Sequence, residues 1–169
     1  KQEYHNEMLV TSPAVAGSAY TYWRFNKKKG EVEFDVVDVT NIFPGDVNTT
    51  DLQRQPYIII SFRRNVEQLK QEALALMKEK ANALTEEDIE NLAGDNDNRN
   101  ESGEFGSKEM TDEGKPSKIA CLVKMWRDPE TDTIHIKKSV KNYVIMDDYD
   151  TELEYYPVAG MVWEPNKNS

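Results

Sequence analysis

The sequence has only one cysteine and no long apolar run, and each absence excludes a class of protein. The single Cys121 excludes an internal disulfide and any metal site built from several cysteines. No apolar run approaches the ~20 residues that a membrane-spanning helix needs, so no membrane contact is expected. Because Cys121 lies in an apolar run, we expect a buried, unreactive thiol, which is compatible with folding in a reducing cytoplasm.

The sequence also lacks an excess of basic residues. Lys and Arg number 21 against 31 Asp and Glu, which gives a formal net charge of -10. The acidity is local, because residues 85–117 hold 11 acidic and 3 basic residues while the other 136 hold 20 and 18. We therefore expect no basic surface that grips nucleic acid, and we assign the acidity to one inserted segment.

Alternating patterns predict an antiparallel hairpin near the start of the chain. Residues 18–25 are rich in aromatic and β-favouring side chains, a turn ends at Gly30, and the next strand alternates acidic with apolar residues. Val32, Phe34 and Val36 share one face of that strand, and we expect this face to be buried.

Further strand patterns follow a helical middle. The nearly unbroken apolar run at 57–62 predicts a strand covered on both faces. Asn65 and Thr85 then have the spacing of helix caps. Later strands are predicted at 118–126, 133–139, 143–146 and 156–163. The predicted fold class is α+β: an antiparallel β-sheet or small barrel in a single domain, 1–169, with a helical excursion at about 66–93 and an acidic inserted loop at 95–117.

The sequence contains no familiar catalytic or metal-binding constellation. Neither His5 nor His135 has a second histidine at helical spacing, and His135 is expected to face solvent. A calcium-loop pattern starting at Asp95 fails because its twelfth position is Gly106. A metal-dependent hydrolase using the acidic residues at 147–152 is an alternative without a paired base in sequence. We predict no enzyme activity, no cofactor, and no catalytic, cofactor-binding or metal-binding residue.

Aromatic residues are conspicuous and admit two interpretations. Packing in the core or at a subunit interface is favoured, because a nearly neutral body lacks the positive groove of a base-stacking protein. The alternative is a β-barrel module that binds nucleic acid or oligosaccharide through its aromatic strands. The residues concerned are Tyr20, Tyr22, Trp23, Phe25, Trp126, Tyr155, Tyr156 and Trp163.

Several segments in series resemble the wing region of tailed-bacteriophage portal proteins, of the type found in phages of Gram-positive bacteria. The first three are residues 14–26, 30–48 and 53–64, and the later runs 122–145 and 155–169 are similar to the second half of that region. The loop pattern within the second segment is carried by Asp38, Thr40, Asn41, Ile42, Phe43, Gly45 and Asp46, and the strand pattern of the third by residues 55–60.

The resemblance implies a structural subunit of a homo-oligomeric ring, typically a dodecamer, at one capsid vertex. Double-stranded DNA passes through such a ring during packaging and ejection without specific binding. The expected partners are other copies of the chain, the major capsid protein, the terminase motor and tail adaptor proteins. The expected location is the virion, after folding in the host cytoplasm. The stem, channel helices and clip of such proteins are not visible here, so the chain is expected to be a fragment of a longer one.

Removal of residues 97–114 is expected to leave the domain folded, because this polar segment has few apolar side chains to contribute to a core. Circular dichroism melting of the shortened and intact chains checks this. A melting temperature several degrees lower, or aggregation, would contradict the interpretation of the segment as an inserted loop.

Overall fold

The computed structural model describes residues 17–26, 29–78, 84–95 and 117–162, which form two antiparallel sheets and two helices. The elements are β1 (Ser18–Asn26), β2 (Glu31–Val37), β3 (Ile42–Pro44), β4 (Tyr57–Asn65), α1 (Val66–Lys78), α2 (Glu86–Glu90), β5 (Lys118–Arg127), β6 (Ile134–Val140), β7 (Tyr143–Asp150) and β8 (Val158–Val162). Short 3-10 turns at Val39–Asn41 and Leu52–Arg54 lie in the connection between β2 and β4.

The strands are ordered β2-β1-β8 in the small sheet and β3-β4-β5-β6-β7 in the large sheet. The predicted α+β class is confirmed, and the described strands form two open sheets instead of a closed barrel. The helical excursion is confirmed as α1 and α2. Residues 96–116 of the acidic insert, and with them the 97–114 deletion, lie outside the described residues. The single domain spanning 1–169 stays a prediction.

The first hairpin is confirmed, but the prediction of which face it buries is wrong. Strands β1 and β2 pair with Trp23 opposite Phe34 and Phe25 opposite Val32. Val32 is 64% exposed, whereas the other side of β2 carries the buried Val37 and places Asp35 opposite the core residue Tyr22. Alternation in β2 identified two faces but could not choose between them, because Arg24 from β1 neutralises the inward-facing Asp35 at 2.9 Å.

The main core lies between the two sheets. Tyr156 closes one end of it and is fixed by its hydroxyl, which donates to the Gln55 carbonyl at 3.0 Å, and by its backbone amide, which donates to Gln53 Oε1 at 2.8 Å. Burial of these side chains is the main stabilising contribution to the sandwich. The buried set is Tyr22, Val37, Ile42, Ile58, Ile60, Val123, Met125, Ile134, Tyr156 and Val158.

A second core lies between α1, α2 and the other half of the same face of the large sheet. Asn65 Oδ1 accepts from Glu67 N at 2.9 Å, and Thr85 forms a capping box with Asp88, so both predicted helix caps are confirmed. The ion pair between Lys138 and Glu72 also links the sheet to α1. The buried set is Val66, Leu69, Ala73, Ile89, Leu92, Ile119, Cys121, Val140 and Ile145.

The ends of the acidic insert meet at the edge of this second core. The Asp95 amide donates to the Lys118 carbonyl at 2.9 Å, and the Asp95 carboxylate accepts from the Ala120 amide at 3.0 Å. The same carboxylate is paired with Arg63, whose side chain is only 7% exposed. The two ends of the insert are therefore held together by backbone and charged hydrogen bonds.

Val123→Ala is expected to lower the free energy of unfolding by roughly 2–3 kcal/mol, because Val123 is 3% exposed in the main core and its loss leaves a cavity. Val47→Ala is the matched control, since Val47 is 86% exposed and should change stability by less than about 0.5 kcal/mol. Urea unfolding of the two variants measures both values. Equal effects would contradict the assignment of Val123 to the core.

Candidate functional site

The outer face of the small sheet is apolar and partly open, since Ala19 and Thr21 on this face are buried while other residues are exposed. We call it face A and define it by Trp23, Phe25, Val32, Phe34 and Met161, which the strand register places on the side away from the main core. Trp23, Phe25, Val32 and Met161 are 42%, 61%, 64% and 47% exposed. Among the described residues of this face none is charged. An uncharged patch of this kind is typical of a surface that contacts another protein.

The indole N–H of Trp23 already has a hydrogen-bond acceptor within its own sheet. Its Nε1 donates to Thr21 Oγ1 at 2.9 Å, and its ring lies 4.9 Å from the Phe34 ring, centroid to centroid. The aromatic pair is therefore held in place by its own sheet and presents a rigid surface.

The outer face of the large sheet has a different character. We call it face B and define it by Phe43, Tyr57, Ile59, Leu122, Lys124 and Trp126. The Lys124 Nζ lies 5.2 Å from the Tyr57 ring centroid and 5.6 Å from that of Trp126, within range of cation–π attraction. Face B therefore combines exposed apolar side chains with one central cation.

Strand β4 is fully covered on its inner side and partly covered on its outer side. Ile58 and Ile60 are fully buried in the main core, whereas Ile59 is half-buried and Tyr57 is 37% exposed. The prediction that both faces of this strand are covered is therefore confirmed for its inner side and only in part for its outer side, where Ser61 is 4% exposed. Tyr57 is the residue of β4 that is most exposed on face B.

His135 lies on the outer face of the large sheet beside face B, as its alternation with Ile134 and Ile136 predicts, but neighbouring acidic groups shield it from solvent. Its side chain is 12% exposed, and its Nδ1 lies 2.5 Å from Asp148 Oδ1. Its Nε2 lies 3.5 Å from Thr131 Oγ1 and 3.9 Å from Asp150 Oδ1. The hydrogen bond to Asp148 raises the pKa of the imidazole above its usual value, with the charges of Asp148, Asp150 and Asp128 adding to the effect.

The basic partners of the acidic residues at 147–152 lie on the neighbouring strand and not close by in the sequence. Strand β7 pairs with β6, which brings Lys137 Nζ to 2.7 Å from Asp147 and His135 to Asp148. Asp150 accepts from the Glu152 amide, which lowers its pKa. These carboxylates are thus engaged in structural contacts, and the sequence carried no local signal for them because their partners lie on the preceding strand.

The described residues contain no arrangement typical of catalysis. Cys121 is free and 1% exposed, as predicted, and its burial raises the pKa of the thiol to about 11, so that it stays protonated at neutral pH. Within the described ranges no group of three or more His, Cys, Asp or Glu side chains could hold a metal ion. None of the helices described is long and apolar enough to cross a membrane.

One open depression, of about 290 Å³, lies where the start of α2 approaches the turn between β6 and β7. Its two carboxylates already have partners, since Asp88 accepts from Thr85 at 2.7 Å and Asp147 pairs with Lys137. The depression therefore offers no unengaged acidic group to a ligand. Its lining is Leu84, Asp88, Asn142, Tyr143, Val144 and Asp147.

The aromatic residues singled out from sequence divide between the core and the surface. Tyr22 and Tyr156 are in the main core, and Tyr20 packs against it. Trp23 and Phe25 lie on face A and Trp126 lies on face B, while Tyr155 is 65% exposed in the connection before β8. Trp163 lies outside the described residues.

The loop residues that carry the portal resemblance fix backbone geometry. Asp46 accepts from Asn48 N at 2.9 Å and from Thr49 Oγ1 at 2.8 Å, and Gln55 Nε2 donates to the Asp46 carbonyl at 2.9 Å. A Cβ at Gly45 would lie 2.9 Å from the Tyr57 ring, so only glycine fits against that ring without displacement. The motif therefore shapes a loop and holds Tyr57 at face B.

Comparison of the chain with models of known protein families finds no match. Comparison with curated protein sequences finds no similar protein either.

Asp148→Asn is expected to move the His135 pKa down towards its usual value, because the amide cannot carry the negative charge that stabilises the imidazolium. Asn tolerates the left-handed backbone of Asp148, whose φ is 42°, so the strand should keep its shape. NMR titration of the ring protons gives the pKa directly. An unchanged pKa would contradict the His135–Asp148 hydrogen bond.

The same pair predicts how stability depends on pH. Because the folded state raises the His135 pKa, its contribution is fully present below the unfolded-state pKa of about 6.5 and is lost as pH rises through the higher folded-state value. The stability difference between the natural chain and Asp148→Asn should therefore shrink towards alkaline pH. Urea unfolding across the pH range checks the sign.

Proposed function

We propose that this chain is part of the wing of a tailed-bacteriophage portal protein, a structural subunit of the ring through which double-stranded DNA is packaged and ejected. The proposal assigns it to the virion, at the portal vertex of the capsid. Its partners are other copies of the same subunit, the major capsid protein, the terminase motor and the tail adaptors. It is a structural role without an enzymatic step of its own.

The observation that carries the proposal is face A. An exposed Trp, Phe, Val and Met on one rigid sheet, with no charge among them, suit a protein contact far better than a solvated surface. The resemblance in series along the chain supplies the identity of the assembly. Together the two observations favour a portal subunit.

The distribution of charge supports a subunit that lets DNA pass without binding its phosphates tightly. Arg24 and Arg64 are each within 3.6 Å of Asp35, and Lys137 is paired with Asp147, so these cations are neutralised within the domain. A subunit that held phosphates firmly would slow the moving duplex. The paired cations therefore agree with a wing that supports the ring without binding the DNA that passes through it.

Negative-stain electron microscopy of the longer protein to which we expect this chain to belong tests the proposal. Closed rings with a central channel are expected. Monomers or small oligomers across a range of salt concentrations would overturn it.

Within that protein, Val32→Glu is expected to weaken ring assembly, because burying one unpaired carboxylate per interface costs more than the about 1–3 kcal/mol of an unpaired neutral polar group and so weakens each contact by roughly fivefold or more. Val47→Glu is the matched control, since Val47 is 86% exposed and lies on neither face. The fraction of particles in closed rings is counted for both variants. Equal ring fractions for the two variants would contradict a role for face A in ring assembly.

A second candidate function is favoured by face B. Tyr57 and Trp126 lie opposite each other on neighbouring strands with Lys124 above both rings, an arrangement that can stack a base or a sugar ring. Fluorescence titration of the chain with single-stranded oligonucleotides and with oligosaccharides at low salt tests it. Saturable binding that is lost in Trp126→Ala and kept in Trp23→Ala would favour this candidate over the portal.

A further inference from the structure

We infer that face A of one copy packs against face B of the next copy, so that the chains associate head to tail. This inference rests on the proposed ring and adds which two surfaces form the contact between neighbours. It concerns residues on opposite sides of one domain, each with exposed apolar groups that the described part of the chain does not cover.

The positions of the two faces favour this arrangement. The small sheet and the large sheet pack their inner faces together around the main core, so their outer faces lie on opposite sides of the sandwich. A contact between two different patches of identical chains is heterologous, and repeating it produces a closed ring or a filament. A contact of face A with another face A would stop at a dimer and leave face B uncovered.

The chemistry of the two faces is complementary. Face A offers aromatic rings from Trp23 and Phe25 and carries no charge among its described residues. Face B carries the exposed Lys124 at its centre. A lysine that becomes enclosed between aromatic rings gains cation–π attraction as it loses water. Two copies of face B brought together would instead place like charges close to each other.

The residue pattern of β4 points to the same contact. Parallel or central strands with apolar residues on both sides are normally covered on both sides. In β4 the inner side is buried by the main core, while Tyr57 and Ile59 remain accessible on face B. A second apolar layer, set about 10 Å away as in other stacked sheets, would complete the pattern. Face A is an apolar sheet surface of the required kind.

The size of the contact suits a ring better than an isolated pair. The exposed parts of these side chains amount to a few hundred Å² on each face, on the order of half the ~800 Å² per partner of a standard stable interface. Such a contact is weak between two isolated copies. In a closed ring every copy makes it twice, and other contacts of the ring raise its effective concentration.

Cross-linking of the longer protein tests the orientation. Val32→Cys places a thiol on face A and Leu122→Cys places one on face B, at side chains that are 64% and 43% exposed. The two thiols of one copy are separated by the whole sandwich, so a short bis-maleimide cannot join them within a chain. Cys121 is 1% exposed, and the protein without either substitution serves as the background control.

The doubly substituted protein is expected to give a ladder of cross-linked products well beyond the dimer, and each single variant is expected to give no products above background. Dimers from Val32→Cys alone would overturn the inference in favour of a face A to face A contact. Closed rings seen by microscopy without any ladder from the double variant would also overturn it while leaving the portal proposal standing. Absence of both rings and ladder would overturn the portal proposal itself.

Discussion

The packing of the small sheet onto half of one face of the large sheet is the constraint on which the rest of the structure depends. It buries Tyr22 and Val158 against Ile58 and Met125 and leaves the other half of the same face to α1. Because side chains alternate along a strand, this one choice of inner face also decides every outward-facing residue. The two candidate interaction surfaces are therefore direct consequences of how the core is formed.

The acidic residues show how the same constraint shapes the electrostatics. Asp35 lies half-buried on the inner side of β2 and is tolerated there because Arg24 from β1 and Arg64 from the facing large sheet approach it. Asp147 is paired with Lys137, and Asp148 is paired with His135, both on β6. These acidic residues are balanced by pairs across strands, and face A is left without charge among its described residues.

The elements themselves could be predicted from sequence because their signals are local. The hairpin at β1 and β2, the cap at Asn65 and the capping box at Thr85 each depend on residues within a few positions of one another. The inner and outer faces could not be predicted, because the apolar and acidic sides of β2 are both compatible with burial once Arg24 is present. The shielding of His135 from solvent could not be predicted for a related reason, since its carboxylate partner lies 13 residues further along the chain.

The closed base of the acidic insert has a practical consequence for anyone who labels or redesigns this protein. The Asp95 amide and the Lys118 carbonyl are joined by a hydrogen bond of 2.9 Å, so the chain enters and leaves the acidic insert at nearly the same point. Lengthening a loop whose ends are already held together changes its closure entropy only by about 0.6 kcal/mol per doubling of length. An affinity tag or a small reporter domain could therefore be inserted between Asp95 and Lys118 without changing the residues of either core.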